Sequence, residues 1–348
     1  MSNVIVPAEI KVSARYKGIV YDKDLNEIHE SAWSKNLITG PGLNFLLSAT
    51  ASGDCYFHAV AGTGNNPPSI ADTTLQAYAG KYNACQSLVV EKNFTTAPYY
   101  VRVTMIHRYY PGAFGALAVN IAEYGMVFNV NSGNSPITAT TPIGSRALSV
   151  NSGGSPAAVA VQPDEYMDQV YEQTWWIPAS ALAAISVAVD GVETSTDTEA
   201  RPSCMNQSPQ STNCWFMPGF LQGSEPSTVG YIRFPRIFPA VKLVGAQLAT
   251  SSSWVSSGAL NGPDVALGGT YATSYECNTV TAATYTTGNY YRDYTFSWGL
   301  NNGNTASPIA GAQLCLGLFM WKVSYSPAIA KVVGKKLDLT FRLSIANV

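Results

Sequence analysis

Leu337, Leu339, Phe341, Leu343 and Ile345 alternate without a break with Asp338, Thr340, Arg342 and Ser344. Period two with one apolar face is the pattern of a half-buried strand. Burying that face fixes the register, because a slip of one residue turns every apolar side chain to solvent. A terminal strand this regular belongs in a sheet and is not a loose tail. The same alternation recurs at Ile10, Val12, Ala14 and Tyr16 against Lys11, Ser13, Arg15 and Lys17. It recurs again at Val101, Val103, Met105 and His107 against Arg102, Thr104, Ile106 and Arg108. No long run shows helical periodicity. The expected fold class is therefore all-β, an antiparallel β-sandwich core with an inserted β-rich second region.

Turn residues punctuate these strands. Residues 18–21 continue the first strand and Asp22-Lys23-Asp24 turns it; residues 33–39 read as extended. Gly40-Pro41-Gly42 is expected to break the chain, and residues 43–47 suit a short helix on the core. Residues 56–60, 121–129, 143–150, 158–161 and 165–176 are further strand candidates. Residues 62–68, 131–136 and 151–156 are loops by composition. Asp190-Gly191 follows an apolar run and predicts a hairpin. Residues 201–230 are rich in Pro, Ser, Gln and Asn and lack periodicity, as long contact or surface loops do.

Chemistry is sparsely signalled. The glycine-rich stretch 62–68 lacks the Gly-Lys-Ser/Thr of a phosphate loop and the three glycines of a dinucleotide fingerprint. The histidines are His29, His58 and His107, and the cysteines Cys55, Cys85, Cys204, Cys214, Cys277 and Cys315, with no C-x-x-C pair. Clustered zinc spacing is missing. Cys204 and Cys214 are placed to close a small loop, although reduced thiols are the favoured reading. His107 lies on a mostly apolar face and reads as a hydrogen-bonded core histidine. No G-x-S-x-G elbow occurs. Glu123 and the Asp164-Glu165 pair are isolated carboxylates. A glycosidase pair needs no fixed spacing, but pairing of these glutamates with Arg146 or with backbone is the simpler expectation. No catalytic, cofactor-binding or metal-ligating residue is assigned, and no enzymatic activity is expected. The aromatics of residues 251–303, Tyr271, Tyr275, Tyr285, Tyr290, Tyr291, Tyr294, Phe296 and Trp298, suit either a sugar or protein contact or, as the favoured reading, a sheet interior with hydroxyls at its rim.

Only 12% of the 348 residues are charged, roughly half the ~25% of an ordinary globular domain. Surface charge keeps soluble monomers apart, so a chain this poor in charge is expected to cover much of its surface against other subunits. With 20 Lys and Arg against 22 Asp and Glu, and no basic run, nucleic acid is not an expected partner. The N-terminal residues lack the basic and apolar regions of a secretory signal. The apolar runs 179–189 and 314–321 fall short of the ~20 residues that span a bilayer, so no membrane insertion is expected.

Six segments, taken in order, resemble a family of tailed-bacteriophage virion structural proteins, described as tail, tail-fibre or baseplate-associated. They are Asn-Leu-Ile-Thr-Gly-Pro-Gly-Leu at 36–43, Ala-Gly-Thr-Gly-Asn-Asn-Pro-Pro at 61–68 with Asp-Thr-Thr-Leu at 72–75, and Asn-Ile-Ala-Glu-Tyr-Gly at 120–125. Ser-Arg-Ala-Leu at 145–148, Pro-Asp-Glu-Tyr-Met-Asp-Gln-Val-Tyr at 163–171 and the alternating close at 329–345 complete the set. These motifs are turns, an Arg–Glu pairing and strands, and they carry no catalytic residue to this chain. Residues 179–327 resemble the family least, apart from an Arg201-Pro202 turn. The final Ala346-Asn347-Val348 departs from the tryptophan-containing end of many relatives.

The expected partition is a β-sandwich core of residues 1–178 plus 326–348, with 179–325 as an inserted, partner-contacting region. The resemblance implies a homo-oligomeric virion component assembled in the bacterial host cytoplasm. It would be tail- or baseplate-associated, joining the tail to a fibre or receptor-binding element and meeting other phage virion proteins. A capsid decoration or head-fibre protein is the first alternative. A receptor-binding tail protein that binds or cleaves host surface glycan is the second.

Overall fold

The computed structural model describes residues 5–47, 54–93, 98–129, 137–177, 181–189, 192–201, 232–235, 244–249, 279–282, 286–301, 309–316, 319–330 and 332–348. The N-terminal half contains β1 (Ile5–Tyr21), β2 (Glu27–Glu30), β3 (Ser34–Ile38), α1 (Gly40–Leu47), β4 (Asp54–Gly62), β5 (Tyr78–Lys81), β6 (Ala84–Asn93), β7 (Tyr99–Tyr109), β8 (Val119–Ile121), β9 (Glu123–Asn129), β10 (Ser145–Leu148), β11 (Val159–Val161) and β12 (Tyr166–Ile177). There follow β13 (Ala181–Val189), β14 (Val192–Arg201), β15 (Ile232–Pro235), β16 (Val244–Ala249), β17 (Thr279–Ala282), β18 (Tyr291–Trp298), β19 (Ile309–Leu316), β20 (Phe319–Ile329) and β21 (Leu337–Asn347). The fold is all-β. Among the described residues, 19 strands form one curled hydrogen-bonded network, and β8 and β11 form a separate pair.

β1 organises the first layer. One edge pairs antiparallel with β12 from Lys11 to Tyr21, and β12 continues through β7 to β6. The other edge is shared in series by three strands. β21 takes Ile5 to Val12, β3 takes Ala14 to Tyr16, and β2 takes Ile19 to Tyr21. The closing strand β21 thus lies against the N-terminal strand, with β18 on its far edge from Leu337 to Ser344. The β1–β21 pairing is parallel, unlike the antiparallel pairing expected throughout. Parallel neighbours need a long crossover, and the whole chain between the two strands supplies one. Val192–Arg201 pairs back on Ala181–Val189 as a hairpin; Asp190 and Gly191 themselves lie outside the described residues.

β3 carries the sheet into a second layer. Its first three residues pair with β1, and Leu37 and Ile38 pair with β10, which leads through β9 to β4. β5 and β15 share the remaining edge of β4. Among the described residues, three strands from within 179–325, β13, β15 and β18, therefore hydrogen-bond directly to strands from outside it. The two layers close on an aromatic core. Tyr16 of β1 stacks on Tyr124 of β9 at 6.0 Å and tilts against Tyr171 at 4.8 Å. Phe57 of β4 meets Phe128 at 4.9 Å and Tyr171 at 6.4 Å. Gln169 binds across the gap, donating through Nε2 to the Gly125 carbonyl at 3.0 Å while accepting from Tyr109 Oη at 2.8 Å.

Burial follows the alternation in the first strand: Val12, Ala14, Tyr16 and Val20 are buried, and Ser13, Arg15, Lys17 and Ile19 are partly open. In β21, Leu337, Leu339 and Ile345 are buried and Asp338 is exposed. The outward side chains of β12 are buried as well, and arginines from its neighbours reach them. Arg108 binds Asp168 through two hydrogen bonds of 2.7 Å, and Arg15 reaches Glu172 at 2.8 Å.

Two local expectations are corrected. Gly40-Pro41-Gly42 does not break the chain but opens α1. Proline suits a first helical turn, where its missing N–H is not needed, and Thr39 caps that turn by accepting from Gly42 N at 3.3 Å. Residues 121–129 are not one strand. They divide at Ala122, whose N–H donates to the Gly62 carbonyl, so that β8 leaves to pair with β11 while β9 stays in the second layer.

Candidate functional site: a buried arginine and the loop it fixes

All four residues of β10 are buried because the strand lies between β3 and β9. Its Arg146 side chain is only 3% exposed and must find partners inside the protein. It finds four. Nε donates to Glu123 Oε2 at 2.7 Å and Nη1 to Asp72 Oδ2 at 2.8 Å. Nη2 donates to the Asn66 carbonyl at 2.9 Å, and Nη1 also lies 3.5 Å from the Pro67 carbonyl. Burial by itself would lower the guanidinium pKa, but the hydrogen bonds to Asp72 and Glu123 outweigh it and hold it above the ordinary arginine value.

Glu123, at the start of β9, is fully buried. Its Oε1 accepts from Gly64 N at 3.1 Å and Ala77 N at 2.8 Å, and its Oε2 accepts from Gln76 N at 3.1 Å. Asp72 in turn accepts from Ser69 N at 2.8 Å. Every one of these bonds goes to the loop of residues 62–77, which is closed from beneath by one arginine and two carboxylates. Glycine is required at positions 62 and 64, since a Cβ there would run into the Glu123 carboxylate. The carboxylates are engaged on backbone N–H groups and a guanidinium, an arrangement that holds a loop and leaves Glu123 no open approach for a reacting group. Glu165 is a turn carboxylate, accepting from Gln162 N at 2.6 Å.

The loop and β8 form the walls of an open cleft of about 510 Å³, bounded by Thr63, Asn65, Val119, Asn120, Leu148 and Pro156 among others. No lining residue is charged. Because Glu123 holds Gly64 from within, the Thr63–Asn65 wall is set before anything enters.

The remaining sequence-derived candidates fall elsewhere. His107 is a core residue, fully buried, its ring edge-on to Tyr82 at 4.8 Å. Burial and then the neighbouring His58 depress its pKa to about 3, against a smaller upward pull from the Phe57 backbone. His58 Nδ1 shares a 3.0 Å hydrogen bond with Tyr82 Oη. Cys85 is a buried thiol whose pKa is pushed up to about 12 by desolvation. Among the described residues, no group of three His, Cys, Asp or Glu side chains is placed to hold a metal ion, and no helix is long and apolar enough to cross a membrane. Tyr294, Phe296 and Trp298 are buried in β18, and Tyr291 lies under the Arg342 guanidinium at 3.9 Å. Cys204, Cys214, Tyr271, Tyr275, Tyr285 and the loop of residues 131–136 lie outside the described residues, as does the loop of residues 201–230 beyond Arg201.

Sequence reasoning paired Glu123 with Arg146 but missed Asp72 as the second carboxylate, and missed the cleft. The only available signal was that Asp72 lies in a segment grouped with the 61–68 loop. Comparison with family models, with curated proteins and with solved structures returns no match.

Proposed function

We propose that this chain is a structural component of a tailed-phage virion, tail- or baseplate-associated, that assembles as a homo-oligomer and links the tail to fibre or receptor-binding elements. One observation carries the reading. Four of the segments through which the sequence resembles that family, 36–43, 61–75, 120–125 and 145–148, meet around Arg146. Leu37 pairs with Arg146 in register, Asn66 and Asp72 bind its guanidinium, and Glu123 forms the ion pair. The shared motifs are thus parts of one internal staple, which suits a building block better than a reaction centre. The low charge of the chain supports burial of its surface in an assembly.

The test is a reconstruction of the whole particle, with immunogold labelling as a second readout. Density for this fold at the tail tip or baseplate is the expected result. Density on the capsid replaces the tail assignment with head decoration, and absence from the particle overturns the virion reading. Cleavage of host surface polysaccharide by the purified chain overturns the non-enzymatic part.

A further inference from the structure

The chain steps from one layer to the other beside two buried histidines. β5 belongs to the second layer and β6 to the first, and Tyr82 and Asn83 form the step between them. Tyr82 N donates to the Ala59 carbonyl of β4 at 3.2 Å, and Asn83 N donates to the Arg108 carbonyl of β7 at 2.8 Å. The Tyr82 ring contacts both imidazoles, with centroids 5.9 Å from His58 and 4.8 Å from His107. Its hydroxyl shares the 3.0 Å hydrogen bond with His58 Nδ1. Cys85 lies opposite His107 in register, and the pairing shifts between Cys85 and Ser87, so a bulge sits directly beside the histidine.

The surroundings of His107 suit a neutral ring. An imidazolium carries two N–H donors and needs an acceptor for each. Gln169, opposite His107 on β12, is already bound to Gly125 and Tyr109. The titratable side chains facing the ring are His58 from β4, Tyr82 from the step and Cys85 from β6, with Tyr109 of β7 and Tyr171 of β12 on the same faces of their strands. No carboxylate is among these described side chains. Arg102, Arg108, Asp168 and Glu172 alternate onto the opposite face and pair there, with Glu91 on Arg102. Glu123 of β9 is turned to the loop of residues 62–77, and Lys81 of β5 is exposed. A proton on His107 therefore strands a charge in the core.

We propose that His107 is an acid-sensitive latch on the segment of residues 78–93, and that its protonation frees Tyr82, β5 and β6 from the two layers while the rest of the sheet stays paired. This segment is the one least able to resist. β5 has three pairings to β4, and among the described residues β6 pairs with β7 alone. Elements with few pairings open at less cost than global unfolding. Release bares the edge of β7 that β6 covers, so that an edge open to strand addition is hidden at neutral pH and offered in acid. The latch follows from the packing alone and does not rest on the virion reading.

Cys85 reports the opening directly, because its side chain is buried against the latch. Its labelling on the full chain by dithiodipyridine, which reacts with thiols in acid, is followed by peptide mass mapping and normalised to glutathione at each pH. His107 titrates at about 3 when latched and near ~6.5 when free, so the Cys85 rate is expected to rise about thirtyfold from pH 8 to pH 5. H107F is expected to remove most of that rise. Amide exchange of wild type over the same range, corrected for its intrinsic pH dependence, is expected to quicken over residues 78–93 and to stay slow over 166–177 and 337–347. A flat Cys85 rate in wild type, an H107F rate that climbs as steeply as wild type, or exchange that quickens equally over all three segments overturns the inference. The wild-type exchange pattern decides the matter even where H107F does not fold.

Discussion

Arg146 Nε lies 2.7 Å from Glu123 Oε2, with both side chains almost completely removed from solvent. A buried ion pair contributes little net stability when intact, because desolvation offsets attraction, but losing one partner strands the other's charge. R146M and E123Q are each expected to cost about 3–5 kcal/mol in urea unfolding. The R146M/E123Q double variant is expected to cost clearly less than the two single losses added together. Purely additive losses would show that the pair does not act as a unit. Because Glu123 also holds Gly64, Gln76 and Ala77, E123Q should also loosen the loop of residues 62–77, read as faster amide exchange there.

His107 makes stability depend on pH. Its folded pKa is about 3, and an unfolded histidine titrates near ~6.5. Between those values the unfolded chain binds the extra proton, so stability rises with pH and falls as pH drops below ~6.5. At pH 5 the loss is about 2 kcal/mol relative to pH 8. H107F keeps a ring against Tyr82 and removes the titration. Its stability should therefore fall less than that of wild type over this window in denaturant melts at matched pH. Parallel curves for the two proteins would refute the assignment.

Gly18 and Tyr124 are in contact across the two layers, and a Cβ at position 18 would collide with the Tyr124 hydroxyl. G18A is expected to lose about 1–3 kcal/mol. Y124F gives up the hydroxyl's hydrogen bonding to Ser149, at 3.4 Å, and to Ser31, and in the double variant G18A/Y124F most of the alanine's cost should disappear. G42A offers the contrast. A Cβ there meets the Gly144 backbone, which no side-chain truncation can relieve, so G42A should be the more damaging change.

Arg108 and Asp168 form a bidentate pair with Asp168 only 4% exposed, whereas Lys23 and Asp24 pair with 73% and 65% exposure. Double-mutant cycles should give about 1.5–3 kcal/mol of coupling for the first and none measurable for the second. R108K keeps the charge but loses the two-pronged geometry and should recover less than half of the R108A loss. Equal coupling in the two cycles would rule out burial as the deciding factor.

Strand content was legible where alternation was unbroken, as in residues 10–17, 99–109 and 337–345, because one buried face imposes a local period of two. The Glu123–Arg146 pairing was legible for a different reason: an isolated strand-end carboxylate with no catalytic partner is most simply satisfied by an arginine or by backbone. Asp72 was not legible. It reaches Arg146 from 74 residues away in the chain, through a loop whose path depends on Glu123. The short helix was legible at residues 43–47, but its opening at Gly40-Pro41-Gly42 and the break at Ala122 were misread because turn residues state what the backbone tolerates, not which neighbours it will meet.

The alternation of apolar and polar residues determined by itself that this chain is all-β, and it determined which face of its first and last strands is buried. Which strands become neighbours was decided only by the tertiary structure. β1 offers one edge to β21, β3 and β2 in succession, the first parallel and the others antiparallel. Backbone hydrogen bonds are alike at every residue, so nothing local encodes their partner. The choice falls to the packing of Tyr16, Tyr124, Tyr171, Phe57 and Phe128 between two layers, which exists only once distant segments have met.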